Sequence, residues 1–152
     1  VGSKLFKSNR IFKTLKTMRY RDDVHFIGHL YANELHPALA SAKALAYVSF
    51  FEGFGIPIAE AFACQTPVIT SNTSSMPEVA GDAALFVNPH SIGEIHDALK
   101  KMDDEELRNK LIDLGNNRKS FFSWTKTADK LWENIMSLFP KIEENENNNF
   151  TL

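Results

Sequence analysis

The sequence predicts an α/β domain built on a parallel, doubly wound sheet. Three observations predict it. Short apolar runs alternate with helical runs in a βαβα order, which is the order of a parallel sheet with crossover helices. The apolar runs, Val24 to Ile27, Ala44 to Ser49 and Leu85 to Val87, alternate too little for half-exposed strands and fit strands covered on both faces. With 152 residues, 43% of them hydrophobic, the chain is long enough for one domain with its own core and too short for two.

Each element has a local reason. Val1-Gly2-Ser3 reads as the end of a strand, because an apolar residue followed by Gly-Ser before a helical run marks a strand-to-helix turn. Residues 4 to 20 form a basic helix, Arg21-Asp22-Asp23 turns the chain, and Gly28 ends the strand over Val24 to Ile27. Asn33 caps a helix from Glu34 to Ala42, and Ala44 to Ser49 is the next strand. A helix from Ile56 to Cys64 leads to a strand over Pro67 to Thr70. Asn72 to Ser75 make a polar loop, Met76 to Val79 a short helix stopped by Gly81, and Leu85 to Val87 the last strand. Ser91 caps a helix to Lys101, Asp103 caps another through Leu114, and Ser123 caps a final one from Trp124 to Leu138. Residues 1–140 make the domain, and the acidic, Asn-rich stretch 141–152 has nothing to bury and is expected to be disordered.

Charge narrows the partners. A net charge of -2 and a pI near 6.2 give no reason to expect nucleic acid. Residues 1 to 21 nevertheless hold seven of the 17 basic residues and none of the 19 acidic ones. Such a helix can lie on anionic lipid. The alternative, a solvated basic face with Leu5, Phe6, Phe12, Leu15 and Met18 turned towards the sheet, accounts for the helix without a membrane and is preferred. A single cysteine, Cys64, excludes an internal disulfide and fits a reducing compartment. No run reaches membrane-spanning length and no signal peptide opens the chain, so a cytoplasmic protein is expected. The five histidines offer no ligand set, and no bound metal is expected. Trp124 and Trp132, eight apart on the last helix, suit packing better than sugar stacking.

The chemistry concentrates between Ser49 and Thr70, SFFEGFGIPIAEAFACQTPVIT. Gly53-Phe54-Gly55 runs into Ile56-Pro57, a turn feeding a helix. The amides of Phe54, Gly55 and Ile56 would lie at the helix start, where the dipole favours an anion such as phosphate. Two carboxylates, Glu52 and Glu60, are separated by seven residues. On spacing alone Glu60 is also readable as a helix-dipole residue, and Glu52 as a loop carboxylate accepting backbone bonds.

This stretch, continued by SNTSSMPEVAGDAALFVNP, closely resembles the donor-binding half of retaining GT-B glycosyltransferases of the family 4 type. A looser match runs from Val1 to about Pro140. The resemblance implies a Rossmann-like C-terminal half that binds a nucleoside diphosphate sugar of UDP or GDP type, without metal or other cofactor. Glu52 takes the catalytic position, touching the donor sugar near the reacting centre, and Glu60 holds the ribose hydroxyls. Gly53, Phe54, Gly55 and Ile56 surround the donor phosphates, Leu30 and more weakly Tyr31 face the base, and Ser74 and Ser75 lie near the sugar, although hydroxyls in a turn need no ligand to explain them.

The reaction implied is transfer of a hexose to a glycan, lipid or other alcohol acceptor. The family's diphosphate-binding Arg and Lys, its first strand and its N-terminal acceptor domain are expected upstream of Val1. In the strand order 3-2-1-4-5-6 that first strand lies mid-sheet, so a chain without it is expected to share a segment with another copy or to self-associate. Peripheral contact with the inner face of a membrane is a further option. Two other readings use the same residues: a non-catalytic nucleotide-sugar-binding or regulatory module, and a Rossmann-like signalling domain, which has no need of the two glutamates.

Overall fold

A computed structural model describes residues 9–139 of the chain. The predicted strand end at Val1, the first residues of the basic helix and the 141–152 tail lie outside them. In chain order the elements are α1 (Asn9–Thr17), α2 (Ala32–Ala40), β1 (Leu45–Tyr47), α3 (Ile56–Ala63), β2 (Val68–Ser71), α4 (Met76–Ala80), β3 (Ala84–Val87), α5 (Ile92–Lys101), α6 (Glu105–Arg118) and α7 (Trp124–Ser137). Single 3-10 turns follow α1 and α6, at Arg21–Asp23 and Lys119–Phe121.

The sheet is parallel in the order β1-β2-β3. Leu45 pairs with Val68, and Val68 with Ala84. Side chains alternate across it, so each face has its own core. Val68 and Ala84 meet Ile58, Ala61 and Phe62 of α3 and Met76, Val79 and Ala80 of α4. Ile69 and Val87 meet Ala98 of α5, Met102 just beyond it, and Leu111 of α6. Helices therefore cover both faces, as the apolar strands predict. Fully burying side chains such as Ile58, Phe62 and Ile69 contributes roughly 1.5–3 kcal/mol each.

Local signals place most boundaries. Pro57 stands in the first turn of α3. At its other end Gln65 N–H donates to Phe62 O at 3.2 Å and Thr66 N–H to Ala61 O at 2.9 Å, with Gln65 left-handed at φ 57, a Schellman closure. Gly81 ends α4 at φ 60. Ser91 Oγ accepts from Glu94 N–H at 3.2 Å, and Glu94 Oε2 accepts from Asn88 N–H at 2.8 Å. Ser123 Oγ accepts from Lys126 N–H at 3.4 Å to start α7.

Five expectations are corrected. Val24 to Ile27 is irregular, with Val24, Phe26 and Ile27 exposed; a strand needs a neighbour for its amides and carbonyls, and no described strand lies beside it. The cap of α2 is Tyr31, not Asn33: Glu34 Oε2 reaches back to accept from Tyr31 N–H at 3.0 Å. The cap of α6 is Asp104, not Asp103, since its Oδ1 accepts from Glu106 and Leu107 N–H at 2.9 and 3.2 Å. Helix α1 does not turn Phe12, Leu15 and Met18 to the sheet. It lies on the irregular segment instead, with Phe12 and Phe26 ring centroids 5.2 Å apart, and Leu15, Met18, Val24 and Phe26 line a shallow groove. Finally, Trp124 and Trp132 are exposed, because α7 buries no residue against the described chain.

Helix α6 crosses α3 at a point where only glycine fits. A Cβ on Gly115 would stand 2.8 Å from Phe62 Cδ1. Gly115→Ala gains about 1 kcal/mol of helix propensity but overpacks a closed core at a cost of roughly 1–3 kcal/mol. The variant is expected to unfold at lower urea concentration with an unchanged slope; a raised midpoint would show that Phe62 has room to move.

Candidate functional site

Parallel strands end on one edge of a sheet, and ligands of open α/β folds bind there. On that edge β1, β2 and β3 give way to the turns at 48–55, 72–75 and 88–91. The first turn carries the acidic and glycine-rich residues singled out above. Leaving the sheet at Tyr47, it gives its carbonyls no strand to face, and a run of hydroxyls from the end of β2 and the second turn meets them. Thr70 Oγ1 donates to Tyr47 O at 2.8 Å, Ser71 Oγ to Ser49 O, and Thr73 Oγ1 to Phe50 O at 3.2 Å. Ser74 Oγ donates to Glu52 O at 2.7 Å and lies 3.3 Å from Glu52 N–H, from which it accepts. Ser75 Oγ reaches Glu52 O at 3.0 Å and Phe54 O at 2.9 Å.

The structure thus brings Ser74 and Ser75 to Glu52 and Phe54, through the backbone of the turn. Gly55 follows as the cap of α3, at φ 100, and a Cβ there would come within 3.2 Å of Ile58 Cδ1. Both facts demand glycine. Phe54, Gly55 and Ile56 N–H donate to no backbone carbonyl or side chain among the described residues, so three amides gather at the positive end of an eight-residue helix.

Glu60 lies one turn along α3 on the face of Ile56, opposite the buried Ile58, Ala61 and Phe62. The residue as a whole is half-buried, and it makes no ion pair among the described residues. Its charge is felt at the next turn: burial first, then Glu60, pushes the Cys64 thiol up from its ordinary value, as befits an unreactive cysteine. Leu30 stands just ahead of Tyr31 at the start of α2, after Gly28 at φ 83. No hydrogen bond joins it to the Glu52 turn. Among the described residues no three His, Cys, Asp or Glu are grouped as a metal site, and no helix is long and apolar enough to cross a membrane.

Two features were not among the sequence candidates. The first is an aromatic rim: Phe50 and Phe51, with the candidate Phe54, are exposed, Phe50 lies 4.8 Å from the His90 ring, and Phe54 meets Phe122 edge-on at 5.7 Å. Phe122 in turn carries the Arg118 guanidinium 5.8 Å above its ring, while Arg118 Nε donates to Val79 O at 2.9 Å and Nη2 to Glu78 O. The turn is thereby tied through Phe54 and Phe122 to Arg118, which itself bridges the end of α6 to α4.

The second is Tyr47, whose phenol lies within the electrostatic reach of the Glu52 carboxylate and of Ser49. Its place five residues before a glutamate was the only sequence signal, and a lone strand tyrosine reads first as core. Burial raises its pKa above 10.0, Glu52 raises it further, and Ser49 opposes. A raised acid stabilises the fold fully below its unfolded value, and that contribution is lost as pH rises through the folded one. The tyrosinate absorbance of wild type minus Tyr47→Phe is expected to titrate above pH 10, with stability falling over the same interval. A difference titration at or below 10 would refute the contact.

Comparison with known proteins gives the family and the fold. The sequence pattern of the family described as "Glycosyl transferases group 1" matches residues 6–119. The chain is 36% identical over 102 residues to O-antigen chain mannosyltransferase B of Escherichia coli, covering 66% of this chain and 27% of that one. It is 35% identical over 122 residues to the MMP alpha-(1->4)-mannosyltransferase of Mycolicibacterium hassiacum, covering 76% and 29%. The chain thus spans less than a third of the length of either relative. The structure of HepE from Anabaena, solved with UDP and glucose, superposes with a TM-score of 0.71 at 20% identity, covering 90% of this chain and 39% of that one. Its fold is that of the C-terminal half of a GT-B protein, and the chain belongs to the group 1 glycosyl transferase family.

Proposed function

We propose that this domain binds the nucleoside diphosphate sugar of a retaining hexosyltransferase of the family 4 type. The observation that carries the reading is the grouping of Glu52, the free amides of Phe54 to Ile56 and Glu60 at the carboxyl edge of the sheet. In this reading the amides receive the diphosphate, Glu60 accepts the ribose hydroxyls, and Glu52 contacts the sugar near its anomeric carbon. Leu30 faces the base. The bond from the anomeric carbon to the diphosphate breaks, a bond to the acceptor oxygen forms on the same face, and the departing diphosphate takes the acceptor proton. Preorganised donors facing the developing charge lower the barrier to such a step.

The mannosyltransferase names of the relatives and the UDP and glucose of the Anabaena complex support a nucleotide-sugar donor, of UDP or GDP type. A glycan, lipid or other alcohol is the acceptor, taken by residues outside this domain, in a cytoplasmic enzyme with the option of peripheral membrane contact. The donor needs no metal.

Saturation-transfer NMR with UDP, GDP and ADP sugars tests the reading directly. Weak contact from a UDP or GDP sugar without added metal is expected, and no contact from any of them would overturn the site. In the complete enzyme Glu60→Gln is expected to raise the donor Michaelis constant, because it removes charge-assisted bonds worth roughly 1.5–3 kcal/mol each. Glu52→Gln is expected to lower turnover more than donor affinity. Unchanged constants in both variants would refute the assigned roles.

The sheet offers a second prediction. Strand β1 pairs on one edge only among the described residues, and an open edge invites pairing. The 152-residue chain is expected to sediment above monomer mass, and a monomer at high concentration would refute association through that edge.

A further inference from the structure

We propose that the segment Thr70–Ser75 is the positioning element for Glu52, with Ser74 as its positioning residue. The inference rests on the functional reading only for what Glu52 does, not for how it is held. Five hydroxyls in six residues meet the carbonyls of Tyr47, Ser49, Phe50, Glu52 and Phe54, each 21 to 23 positions earlier in the chain. A polar loop whose hydroxyls served only their own turn would bond locally, two to four residues away. These bonds instead join two turns that the sheet brings alongside each other.

Within the set, Ser74 is distinguished twice. It grips both backbone polar groups of Glu52, the N–H at 3.3 Å and the C=O at 2.7 Å, and so fixes the peptide planes on either side of the residue. It does this from a left-handed backbone, φ 56, which a residue with a Cβ enters at a cost. The other non-glycine residue in that region among the described residues, Gln65, is there because it closes α3. Ser74 closes no helix, since α4 begins after it. From this conformation its Oγ meets both the amide and the carbonyl of Glu52. Ser74 is exposed, so its hydroxyl is not kept to satisfy a buried group.

Two substitutions separate positioning from stability. Ser74→Ala removes the hydroxyl and keeps the backbone strain. Ser74→Gly removes both, so it is expected to melt at a higher temperature than Ser74→Ala. Amide exchange of the 152-residue chain, followed by NMR, reads the grip without any ligand. At Glu52 exchange is expected to quicken about tenfold in both variants, while Ile69 in β2 keeps its wild-type rate. Titration with UDP and GDP sugars is expected to show about tenfold weaker binding in both variants alike. Unchanged exchange at Glu52 would overturn the proposal, and so would donor affinity that recovers in Ser74→Gly along with the melting temperature. If the wild-type chain binds none of these sugars, the functional reading fails while the exchange rates still decide whether Ser74 holds the turn.

Discussion

A chain that leaves a parallel strand at the edge of its sheet carries carbonyls that no neighbouring strand will meet. Here the departing turn, Val48 to Gly55, holds two glycines and three exposed phenylalanines, and its side chains offer few donors of their own. The hydroxyls of Thr70, Ser71, Thr73, Ser74 and Ser75 supply them from the next strand and turn. Each neutral bond contributes only about 1 kcal/mol net, yet together they fix where Glu52 stands and where α3 begins. The free amides, the glycine cap and Glu60 one turn further on all inherit their position from that frame.

The electrostatics of the edge follow. Glu52 and Glu60 bring negative charge to a place whose positive potential, within the described residues, comes from the backbone at the head of α3. A carboxylate beside a phosphate site disfavours the anion unless it meets a different part of the ligand. Seven residues of separation put Glu52 before the helix and Glu60 on its second turn, so the amides lie between them in the chain. The Glu60 charge also reaches down the helix, where, after burial, it helps to push the Cys64 thiol up.

Much of the architecture was legible because its signals are local. Pro57, Gly81, Ser91 and Ser123 each mark a helix boundary by their own chemistry, and the structure places helix ends beside all four. The errors arose where a second residue decides. Asn33 is a good cap by type, but Glu34 reaching back to Tyr31 moves the start of α2. Val24 to Ile27 has the composition of a buried strand, and composition cannot supply the neighbour a strand pairs with. At the site, the glycine at position 55 was legible from its local turn, while Glu52 and Glu60 were singled out by the family resemblance, their spacing alone leaving helix-dipole and loop readings open. The work of the five hydroxyls was not legible, since their partners lie more than twenty residues away and no local pattern encodes that distance; Tyr47 was missed although Glu52 is only five residues on, because a strand tyrosine reads first as core.

One pairing outside the site constrains it. Gly81 turns with φ 60, and the space where its side chain would project is filled by the Arg118 guanidinium, 3.3 Å from an added Cβ. That guanidinium covers the carbonyl end of α4 and lies over the rings of Phe121 and Phe122. A lysine would keep the charge and lose both the fork of donors and the flat face. Gly81 and Arg118 are therefore a single requirement written at two positions: a bulkier residue at the first displaces the second, and the disturbance passes through Phe122 to the ring of Phe54 beside Glu52.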